Sequence, residues 1–406
     1  MSALRGKSIV LGLSGGIAIY KVAGLLRRLS RDLECNVQVV MTNAAEKFMS
    51  PLIFETFSGK EVICDMFNAE STIVGTRHID LIQEADLVAL IPATANIIGK
   101  IASGIADDAL STMLLVAQPE KTLIAPAMNK HMYLNPTFQK NLKYLKNLHY
   151  HIIEPDSGEL ATQLEGSGIG RLPDEKVLLH FLEKAILSQK KTPLLNKRVL
   201  ITGGPTREAI DDIRFISNPS TGKMGIALAE SAAKAGAIVT YISGPTFLPD
   251  PIACTTTIIQ TAEEMKTEVL KHFDDQDIVV MSSAVEDIRP IKTQGGKIKK
   301  QNIPDSLKLE RTPDILFELG QKKTKQLLVG FSVEVEKGEE NSKEKIRKKN
   351  LDWIVHNNPK NTDTSFASDN NQVVIISKNN DIFTLPKLSK ADTADEIWRC
   401  ITKTDK

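Results

Sequence analysis

Residues 217–225, SNPSTGKMG, combine small residues, a glycine and a lysine in the manner of an anion-binding loop. A Walker phosphate loop needs glycine at the first of these positions and serine or threonine after the lysine, but Ser217 and Met224 stand there. The small residues lead directly into a helical pattern, so the stretch predicts a helix N-terminus suited to an anion, with Lys223 beside it. A capped helix start with a solvated lysine accounts for the same residues equally well.

Lysines farther along the chain favour the first of these interpretations. Lys345 and Lys349 are four residues apart in KEKIRKKN and therefore share one face of a predicted helix. A glycine pair opens the run GGKIKK, which carries Lys297. Lysines from several loops suit a polyphosphate group whose charge changes during transfer. The alternative for both runs is a solvated charged face, which is the usual role of lysine-rich stretches.

The first half has its own glycine-rich turn, SGG at residues 14–16, between a β-branched run and a helical pattern. Its glycines allow the backbone to approach a ligand, and the following helix offers N–H groups to a phosphate. The turn lacks the GxGxxG spacing of dinucleotide sites, and a plain tight turn is the alternative. Small and hydroxyl residues also follow the next strands of this half, where a flat ring could lie against the backbone. The residues concerned are Ser14, Gly15, Gly16, Thr42, Ala93, Thr94 and Ser111.

Both halves alternate short β-branched runs with helical patterns, which predicts an α/β fold with parallel sheets covered on both faces. The fold class that follows is a tandem of two doubly wound, Rossmann-like, three-layer α/β/α domains. Ligands of such sheets bind beyond the carboxyl ends of the strands. The predicted strands are 8–13, 37–42, 87–92, 122–125 and 150–154 in the first half, and 198–202, 238–242, 278–282, 327–331, 353–356, 372–376 and 382–384 in the second.

A polar, basic stretch at residues 187–197, LSQKKTPLLNK, separates the two halves and is the best candidate for a linker. The length of 406 residues suits two domains, which we place at residues 1–190 and 191–406.

With 42% hydrophobic residues, 25% charged residues and a net charge of +1, the composition indicates a globular protein without the basic field that nucleic acid would attract. No apolar run approaches the roughly 18 residues of a membrane span, and the N-terminal residues lack a signal-peptide pattern. The four cysteines are scattered, which indicates reduced thiols in a cytoplasmic protein and no zinc site.

Four motifs of the first half resemble the homo-oligomeric flavin-containing cysteine decarboxylases. SGGIAIYK, RHIDL, PATAN followed by GKIASGIADD, and PAMNKHMYLNP occur in that family's order between residue 7 and about residue 175. The resemblance implies FMN held between the subunits of a trimer, at the turn residues named above, and oxidative decarboxylation of a C-terminal cysteine. It also implies that His78 is catalytic and that Asn129 holds the substrate carboxylate. Without the resemblance, these two are a surface histidine and an asparagine in a turn.

One loop departs from that family. Members that make phosphopantetheine carry a cysteine that returns a proton in the final reduction, within a motif of the type LACGxxGxGR. Here residues 158–171 read GELATQLEGSGIGR, and Thr162 stands at the expected position of the cysteine. A hydroxyl is a far weaker acid than a thiol, whose pKa is about 8.5. Three interpretations stay open: another group protonates the intermediate, the domain stops at the enethiol, or the domain is a scaffold that binds flavin poorly.

The second half, over about residues 191–390, resembles the phosphopantothenate–cysteine ligase domain, and GGPTREAIDDIRFISNPSTGKMG is close to the full signature of that domain. The resemblance implies CTP as a co-substrate, with Mg²⁺, and an acyl-cytidylate that cysteine converts into an amide. Asn218 would hold the acyl-cytidylate, and Lys297 in the glycine-rich flap would assist the chemistry. The residues that would contact CTP are Met281, Ser282, Ser283, Asp287, Pro313, Asp314, Ile315, Leu316, Phe331, Lys345 and Lys349.

The two domains in this order resemble the bifunctional decarboxylase–ligases of coenzyme A synthesis. The partners implied are 4′-phosphopantothenate, L-cysteine and CTP, together with further copies of the chain through trimeric contacts of the first domain and dimeric contacts of the second. Two alternatives remain. One is a ligase whose first domain does not complete decarboxylation because Thr162 replaces the cysteine, and the other is a flavoprotein-like regulatory or binding protein.

Overall fold

The computed structural model describes residues 2–65, 77–159, 167–189, 192–293, 295–299, 301, 304–333, 338–357 and 368–403. The chain separates into two compact units, Met1–Lys191 and Thr192–Lys406, here called unit 1 and unit 2. Over the described residues, no helix combines the length and the apolar character that crossing a membrane would need. Each unit is built on its own sheet with helices around it, which confirms the predicted α/β fold class.

The sheet of unit 1 is parallel. Its strands are β1 (Ser8–Leu13), β2 (Asn36–Met41), β3 (Leu87–Ala93), β4 (Thr122–Pro126) and β5 (His151–Ile152). They lie in the order β2-β1-β3-β4-β5, so the carboxyl ends of β1 and β3 are neighbours at the point where the strand order reverses. Every residue of β3 and β4 is buried, as is typical of strands that are covered on both faces. A hairpin of β6 (Asp156–Glu159) and β7 (Ser167–Arg171) follows the sheet.

Helices cover both faces of this sheet. One face carries an apolar core shared with α1, α3 and α9, and the other carries a core shared with α5, α6 and α8. The helices of unit 1 are α1 (Ile19–Arg27), α2 (Asn43–Glu46), α3 (Pro51–Ser58), α4 (Arg77–Glu84), α5 (Ala95–Ser103), α6 (Ala109–Val116), α7 (Lys130–Tyr133), α8 (Pro136–Asn147) and α9 (Glu175–Ser188).

Unit 2 has a larger sheet and several small hairpins. Its strands are β8 (Arg198–Gly203), β9 (Arg207–Ala209), β10 (Phe215–Ser217), β11 (Ile238–Ser243), β12 (Thr255–Ile258), β13 (Ile278–Met281), β14 (Ile288–Pro290), β15 (Leu309–Arg311), β16 (Leu327–Val333), β17 (Trp353–Asn357), β18 (Asn370–Asn371), β19 (Val373–Ser377), β20 (Ile382–Thr384) and β21 (Leu388–Ser389). The main sheet has the order β12-β11-β8-β13-β16-β17-β19-β20. The pairs β9–β10, β14–β15 and β18–β21 form separate antiparallel ribbons.

One edge of this sheet corrects the prediction of a purely parallel sheet. The strands from β12 to β17 are parallel, but β19 is antiparallel to β17 and β20 is antiparallel to β19. Residues 378–381 alone separate β19 from β20, whereas a parallel neighbour needs a crossover of about a dozen residues. The two strands therefore form a hairpin, which Ser377 closes by a hydrogen bond of 2.7 Å from its hydroxyl to the Asp381 carboxylate.

The helices of unit 2 divide between the two faces of the sheet. They are α10 (Lys223–Lys234), α11 (Ala262–Phe273), α12 (Ile315–Lys322), α13 (Gly338–Lys348) and α14 (Lys390–Ile401). Helices α10 and α14 share one apolar core with one face of the sheet. Helices α11, α12 and α13 share a second core with the opposite face. Side chains at the carboxyl edge of the sheet can therefore approach a ligand from two sides.

Candidate functional site

Unit 2 contains a cavity of about 850 Å³ at the carboxyl ends of its central parallel strands. The turn after β8, the loop after β13, the end of β16 and the first turns of α10 and α12 form its walls. Doubly wound sheets bind ligands at this edge, and the volume is in the usual range for small-molecule sites. The predicted site residues that line the cavity are Asn218, Met281, Ser282, Ser283, Asp287, Pro313, Asp314, Ile315, Leu316, Phe331, Lys345 and Lys349.

Helix α10 starts in direct contact with the turn after β8. Gly222 precedes the helix with a φ of +80°, a conformation that favours glycine. A Cβ atom on Gly225 would lie 2.9 Å from the Cα of Gly203 and 3.0 Å from the hydroxyl of Tyr241, so only glycine allows this approach. The N–H groups of a first helical turn have no carbonyl partner within the helix. Residues 217–225 therefore contribute a helix start to the cavity wall.

Hydroxyl groups join the ends of β8 and β13 beneath the cavity. Thr202 Oγ1 donates to Ser283 Oγ at 2.9 Å, and Ser282 Oγ donates to the Thr202 carbonyl at 2.5 Å. Asn218 Nδ2 donates to the Val285 carbonyl at 3.2 Å, which holds this side chain against the loop after β13. These bonds fix the positions of the polar groups that face a ligand.

The α12–α13 side of the cavity carries Lys345 and Lys349. The Lys349 N–H bonds to the Lys345 carbonyl at 2.9 Å, so the two residues lie one helical turn apart. Lys349 Nζ lies 2.8 Å from the Asp314 carboxylate. The main chain of Lys349 packs against Gly320 of α12, where a Cβ would lie 2.0 Å from the Lys349 carbonyl oxygen. Asn350 Nδ2 also donates to the Gly320 carbonyl at 2.9 Å.

The opposite, α10–α14 side carries Lys390, which the sequence analysis does not single out. Lys390 is only 8% exposed, lines the cavity and donates from Nζ to the Ser368 carbonyl at 2.5 Å. Burial, and then repulsion from Lys223, lowers the pKa of the Lys390 ammonium to about 8. The one signal in the sequence is a cation in the first turn of a helix, where the helix dipole disfavours it. Arg311, Asn357 and Asn371 also line the cavity without having been singled out.

The structure does not bring Lys297 to the lining of this cavity. Lys297 is exposed, and its neighbours are bound to the turn between β9 and β10. The Gly296 N–H donates to Asp212 at 2.9 Å, and the Ile298 N–H donates to the buried carboxylate of Asp211 at 3.2 Å. Across the described ranges, no group of three or more histidine, cysteine, aspartate or glutamate side chains could hold a metal ion.

Unit 1 contains a second cavity, of about 480 Å³, beside the switch point between β1 and β3. Ser14, Gly15, Thr42 and Thr94, which the sequence analysis assigns to a ligand of this half, line it. Ser14 Oγ donates to the Pro92 carbonyl at 2.8 Å and accepts the Thr94 N–H at 2.8 Å, so its hydroxyl fixes the shape of the two turns.

Other predicted residues of unit 1 lie behind or beside that cavity. Ala93 is fully buried, and Gly16 is not among the lining residues. Ser111 is buried in a capping box, in which its N–H donates to Asp108 at 2.8 Å and its hydroxyl accepts the Asp108 N–H at 3.1 Å. The cavity is therefore lined by Asp108, with Asp107 and Lys100, rather than by Ser111.

The structure gives partial information on the remaining unit 1 residues. Asn129 caps α7 by accepting the His131 N–H at 2.8 Å, and Met132 of the same helix lines the cavity. His78 lies in α4, but its side chain is outside the described part of the structure, as is the whole of Thr162.

The second cavity fits a flavin phosphate and ring in its chemistry. Hydroxyl groups from three strand ends surround it. Gly15 packs so closely on α2 that a Cβ would lie 2.5 Å from the Cβ of Ala44. The carboxylates of Asp107 and Asp108 at its rim lie 2.5 Å and 2.6 Å from Lys100 Nζ. Lys100 balances one of these two negative charges, which reduces their repulsion of an anionic ligand.

Comparisons with known proteins match each half of the chain to a family model and match the chain as a whole to full-length relatives. A family model described as Flavoprotein matches residues 2–187, and one described as DNA/pantothenate metabolism flavoprotein C-terminal domain matches residues 194–404. The coenzyme A biosynthesis bifunctional protein CoaBC of Bacillus subtilis is 44% identical over 404 residues, which cover 99% of this chain and 98% of that protein. The protein of the same name from Borreliella burgdorferi is 42% identical over 402 residues, covering 98% and 99%.

A crystal structure of the C-terminal domain of a CoaBC protein covers 51% of this chain and 96% of its own, with 41% identity and a TM-score of 0.44. The family models and the full-length relatives together span both cavities. The chain therefore belongs to the family of coenzyme A biosynthesis bifunctional proteins, enzymes that carry phosphopantothenoylcysteine decarboxylase and phosphopantothenate–cysteine ligase activities.

Proposed function

We propose that unit 2 joins 4′-phosphopantothenate to cysteine at the expense of CTP, through an acyl-cytidylate. The observation that carries this proposal is the 850 Å³ cavity, into which lysines project from both faces of one sheet next to a helix start. Two highly charged substrates need such a set of cations, because their mutual repulsion opposes binding.

The reaction forms and breaks bonds in two steps. The carboxylate oxygen of phosphopantothenate attacks the α-phosphorus of CTP, and pyrophosphate leaves with the bonding electrons. The cysteine amine then attacks the acyl carbon, loses a proton and displaces CMP. Lys345 and Lys349, which line the cavity, would neutralise the departing pyrophosphate. Mg²⁺ enters as the CTP complex, since magnesium commonly keeps water and phosphate oxygens as its ligands.

Asn218 and the start of α10 are the proposed holders of the acid substrate and of the acyl-cytidylate. The amide of Asn218 is already oriented by the Val285 carbonyl, so it presents a fixed polar group. Lys297 remains a proposed catalytic residue, although it lies outside the cavity lining in this structure.

For unit 1 we propose FMN-dependent decarboxylation of the ligase product to 4′-phosphopantetheine. Ser14, Gly15, Thr42 and Thr94 would hold the flavin, which when bound accepts two electrons from the cysteine portion of the substrate. His78 and Asn129 are the proposed catalytic and carboxylate-binding residues. Subunit contacts of trimeric type in unit 1 and dimeric type in unit 2, and a cytoplasmic location, belong to the same proposal.

The alternative for unit 1 is a domain that does not complete the final reduction, because Thr162 replaces a thiol. The thiols of Cys35 and Cys64, the two cysteines of unit 1, are poor proton donors. Burial raises the pKa of Cys35 to about 11, and burial together with the carboxylate of Glu46 raises that of Cys64 to about 12.

One experiment separates these possibilities. The purified chain is supplied with phosphopantothenate, cysteine, CTP and Mg²⁺, and pyrophosphate and carbon dioxide are measured together. Equal amounts of both are expected if both units are active. Pyrophosphate without carbon dioxide would establish the ligase alone. Carbon dioxide without 4′-phosphopantetheine would locate the failure in the final reduction, and Thr162→Cys would then test whether the loop lacks its proton donor. Absence of pyrophosphate would contradict the ligase.

A further inference from the structure

Arg311 lines the unit 2 cavity, and the proposed function assigns it no role. It is the last residue of β15 and lies directly opposite Ile288 of β14, which lines the cavity as well. The next residue anchors the segment, because the Thr312 N–H donates to the Asp287 carbonyl at 3.1 Å and its hydroxyl donates to the Glu286 carbonyl at 2.5 Å. The backbone from which the Arg311 side chain extends is therefore fixed beside the loop after β13.

The same β14–β15 ribbon carries a second arginine on its other face. Neighbouring residues of a strand point to opposite faces, so Glu310 is directed away from the face that Arg311 shares with Ile288. Arg289, which is opposite Glu310, donates from Nε to the Glu310 carboxylate at 2.9 Å and lies 3.6 Å from the carboxylate of Glu263. Arg289 thus has carboxylate partners within the chain, and it does not line the cavity.

Arg311 has no such partner. Across the ranges that the structure describes, its guanidinium makes no ion pair and no hydrogen bond. Asp314, which is close to it along the chain, is paired with Lys349 at 2.8 Å instead. The Arg311 side chain is exposed, so only water has to leave the guanidinium when a ligand of the cavity arrives.

The ligands of this cavity supply a matching group. The ligase activity of the family acts on a phosphorylated acid, and the proposed nucleotide would bring a triphosphate. A guanidinium is planar and always charged, and its paired N–H donors match two oxygens of one phosphate, whereas a lysine ammonium is a point charge. We propose that Arg311 binds a phosphate group of a substrate in the unit 2 cavity through such a paired contact. This inference rests on ligase activity in unit 2, and for the nucleotide it rests on the proposed use of CTP.

The test compares ligands that differ in their phosphate groups. Calorimetric titrations of the full chain use phosphopantothenate, pantothenate, CTP and CMP, each alone and in the presence of Mg²⁺. Arg311→Met is expected to weaken the binding of phosphopantothenate, of CTP or of both about 10-fold, the lower end of the range for a hydrogen bond to a charged group, because the side chain is exposed. Pantothenate binding should stay unchanged. Arg311→Lys keeps the charge without the paired donors and should recover only part of the lost affinity.

The pattern of losses identifies the source of the phosphate. A loss confined to phosphopantothenate places its monoester at Arg311. A loss for CTP that CMP does not share places the β- or γ-phosphate there, and an equal loss for CTP and CMP places the α-phosphate there. In steady-state kinetics, the KM for the ligand concerned should rise by the same factor as its dissociation constant.

Arg289→Met is the matched control, since Arg289 belongs to the same ribbon but lies outside the cavity lining, and its ligand affinities should equal those of the wild type. Unchanged affinity of Arg311→Met for both phosphorylated substrates would overturn the inference. An equal loss of affinity for pantothenate, or an equal loss in Arg289→Met, would overturn it as well. A wild-type chain that binds phosphopantothenate but not CTP would contradict the proposed use of CTP and leave the comparison of phosphopantothenate with pantothenate as the test of Arg311.

Discussion

Replacing Lys349 by methionine gives the sharpest test of the nucleotide side of the cavity. Methionine keeps most of the side-chain volume and removes the charge that we assign to a phosphate of CTP. Two unit charges about 4 Å apart attract by about 4 kcal/mol at the effective dielectric constant of about 20 found near protein surfaces. Two corrections reduce this value for Lys349.

The first correction is for solvent screening, which weakens the attraction because the Lys349 side chain is 24% exposed. The second is the ion pair with Asp314 at 2.8 Å, which the nucleotide must displace and which is worth up to about 1 kcal/mol for exposed partners. We therefore expect a net loss of about 2 kcal/mol, or a roughly 30-fold rise in the KM for CTP. The KM for phosphopantothenate should stay within about twofold.

Initial rates of pyrophosphate release at varied CTP give the measurement, and Lys348→Met is the matched control. Lys348 is the preceding residue, 71% exposed and paired with Glu344 at 2.5 Å, and it does not line the cavity. Raising the salt concentration should reduce the difference between the Lys349 variant and wild type, since salt screens the lost attraction. An equal KM for CTP in the two variants would refute the assignment of Lys349 to the nucleotide.

Two further predictions concern the flavin cavity and the stability of unit 2. Gly15→Ala places a Cβ 2.5 Å from the Cβ of Ala44 and should lower the flavin absorbance of the purified protein several-fold, whereas Gly99→Ala, with no heavy atom within 4 Å, should retain it. Asp352→Asn should lower the free energy of unfolding by about 3–5 kcal/mol in urea titrations, because it removes the charge that pairs with the buried ammonium of Lys323 at 2.7 Å. The contact of Asp352 with the exposed Lys378 at 2.9 Å adds little. Burial alone would raise the pKa of the Asp352 carboxyl, but hydrogen bonds from Lys323, the Leu328 N–H and Lys378 hold it below the usual range. The wild type should therefore lose the stability that ionised Asp352 contributes only as the pH falls below about 4. The variant, which has no carboxyl group at position 352, should lack this part of the decline. An equally steep decline in stability for both proteins would contradict the role of Asp352.

The strands and the cavity edge could be predicted because they depend on local patterns. Residues 9–13 of β1 and the strand Ile278–Met281 are continuously apolar, which is typical of strands buried on both faces. The residues that follow such strands are brought together by the topology alone, so the lining of the unit 2 cavity follows from locating the strand ends. The antiparallel pairing of β19 and β20 depends on the short connection of residues 378–381. The alternation of strand and helix patterns in the sequence does not show that this connection lacks a helix.

Other features depend on contacts between distant segments and could not be predicted. Lys390 is buried because the β18–β21 ribbon and the start of α10 meet around it, 167 positions after Lys223. Ser111 faces inward because its N–H and its hydroxyl are both hydrogen-bonded to Asp108 in the capping box at the start of α6. The same residue types allow either this local arrangement or a contact with a ligand. The exposure of Lys297 follows from the Asp211 and Asp212 contacts of its neighbours, which join segments more than 80 residues apart.

The contact between Gly320 and the main chain of Lys349 has a consequence for how nucleotide recognition can change. The distance between α12 and the end of α13 is short because residue 320 is a glycine. Any Cβ at position 320 would overlap the carbonyl oxygen of Lys349. A substitution at Gly320 would tilt α13 and move the ammonium groups of Lys345 and Lys349 away from the nucleotide. Residue 320 itself does not line the cavity. Loss of affinity for CTP, or resistance to a compound that competes with it, could therefore arise from a position that no map of ligand contacts would include.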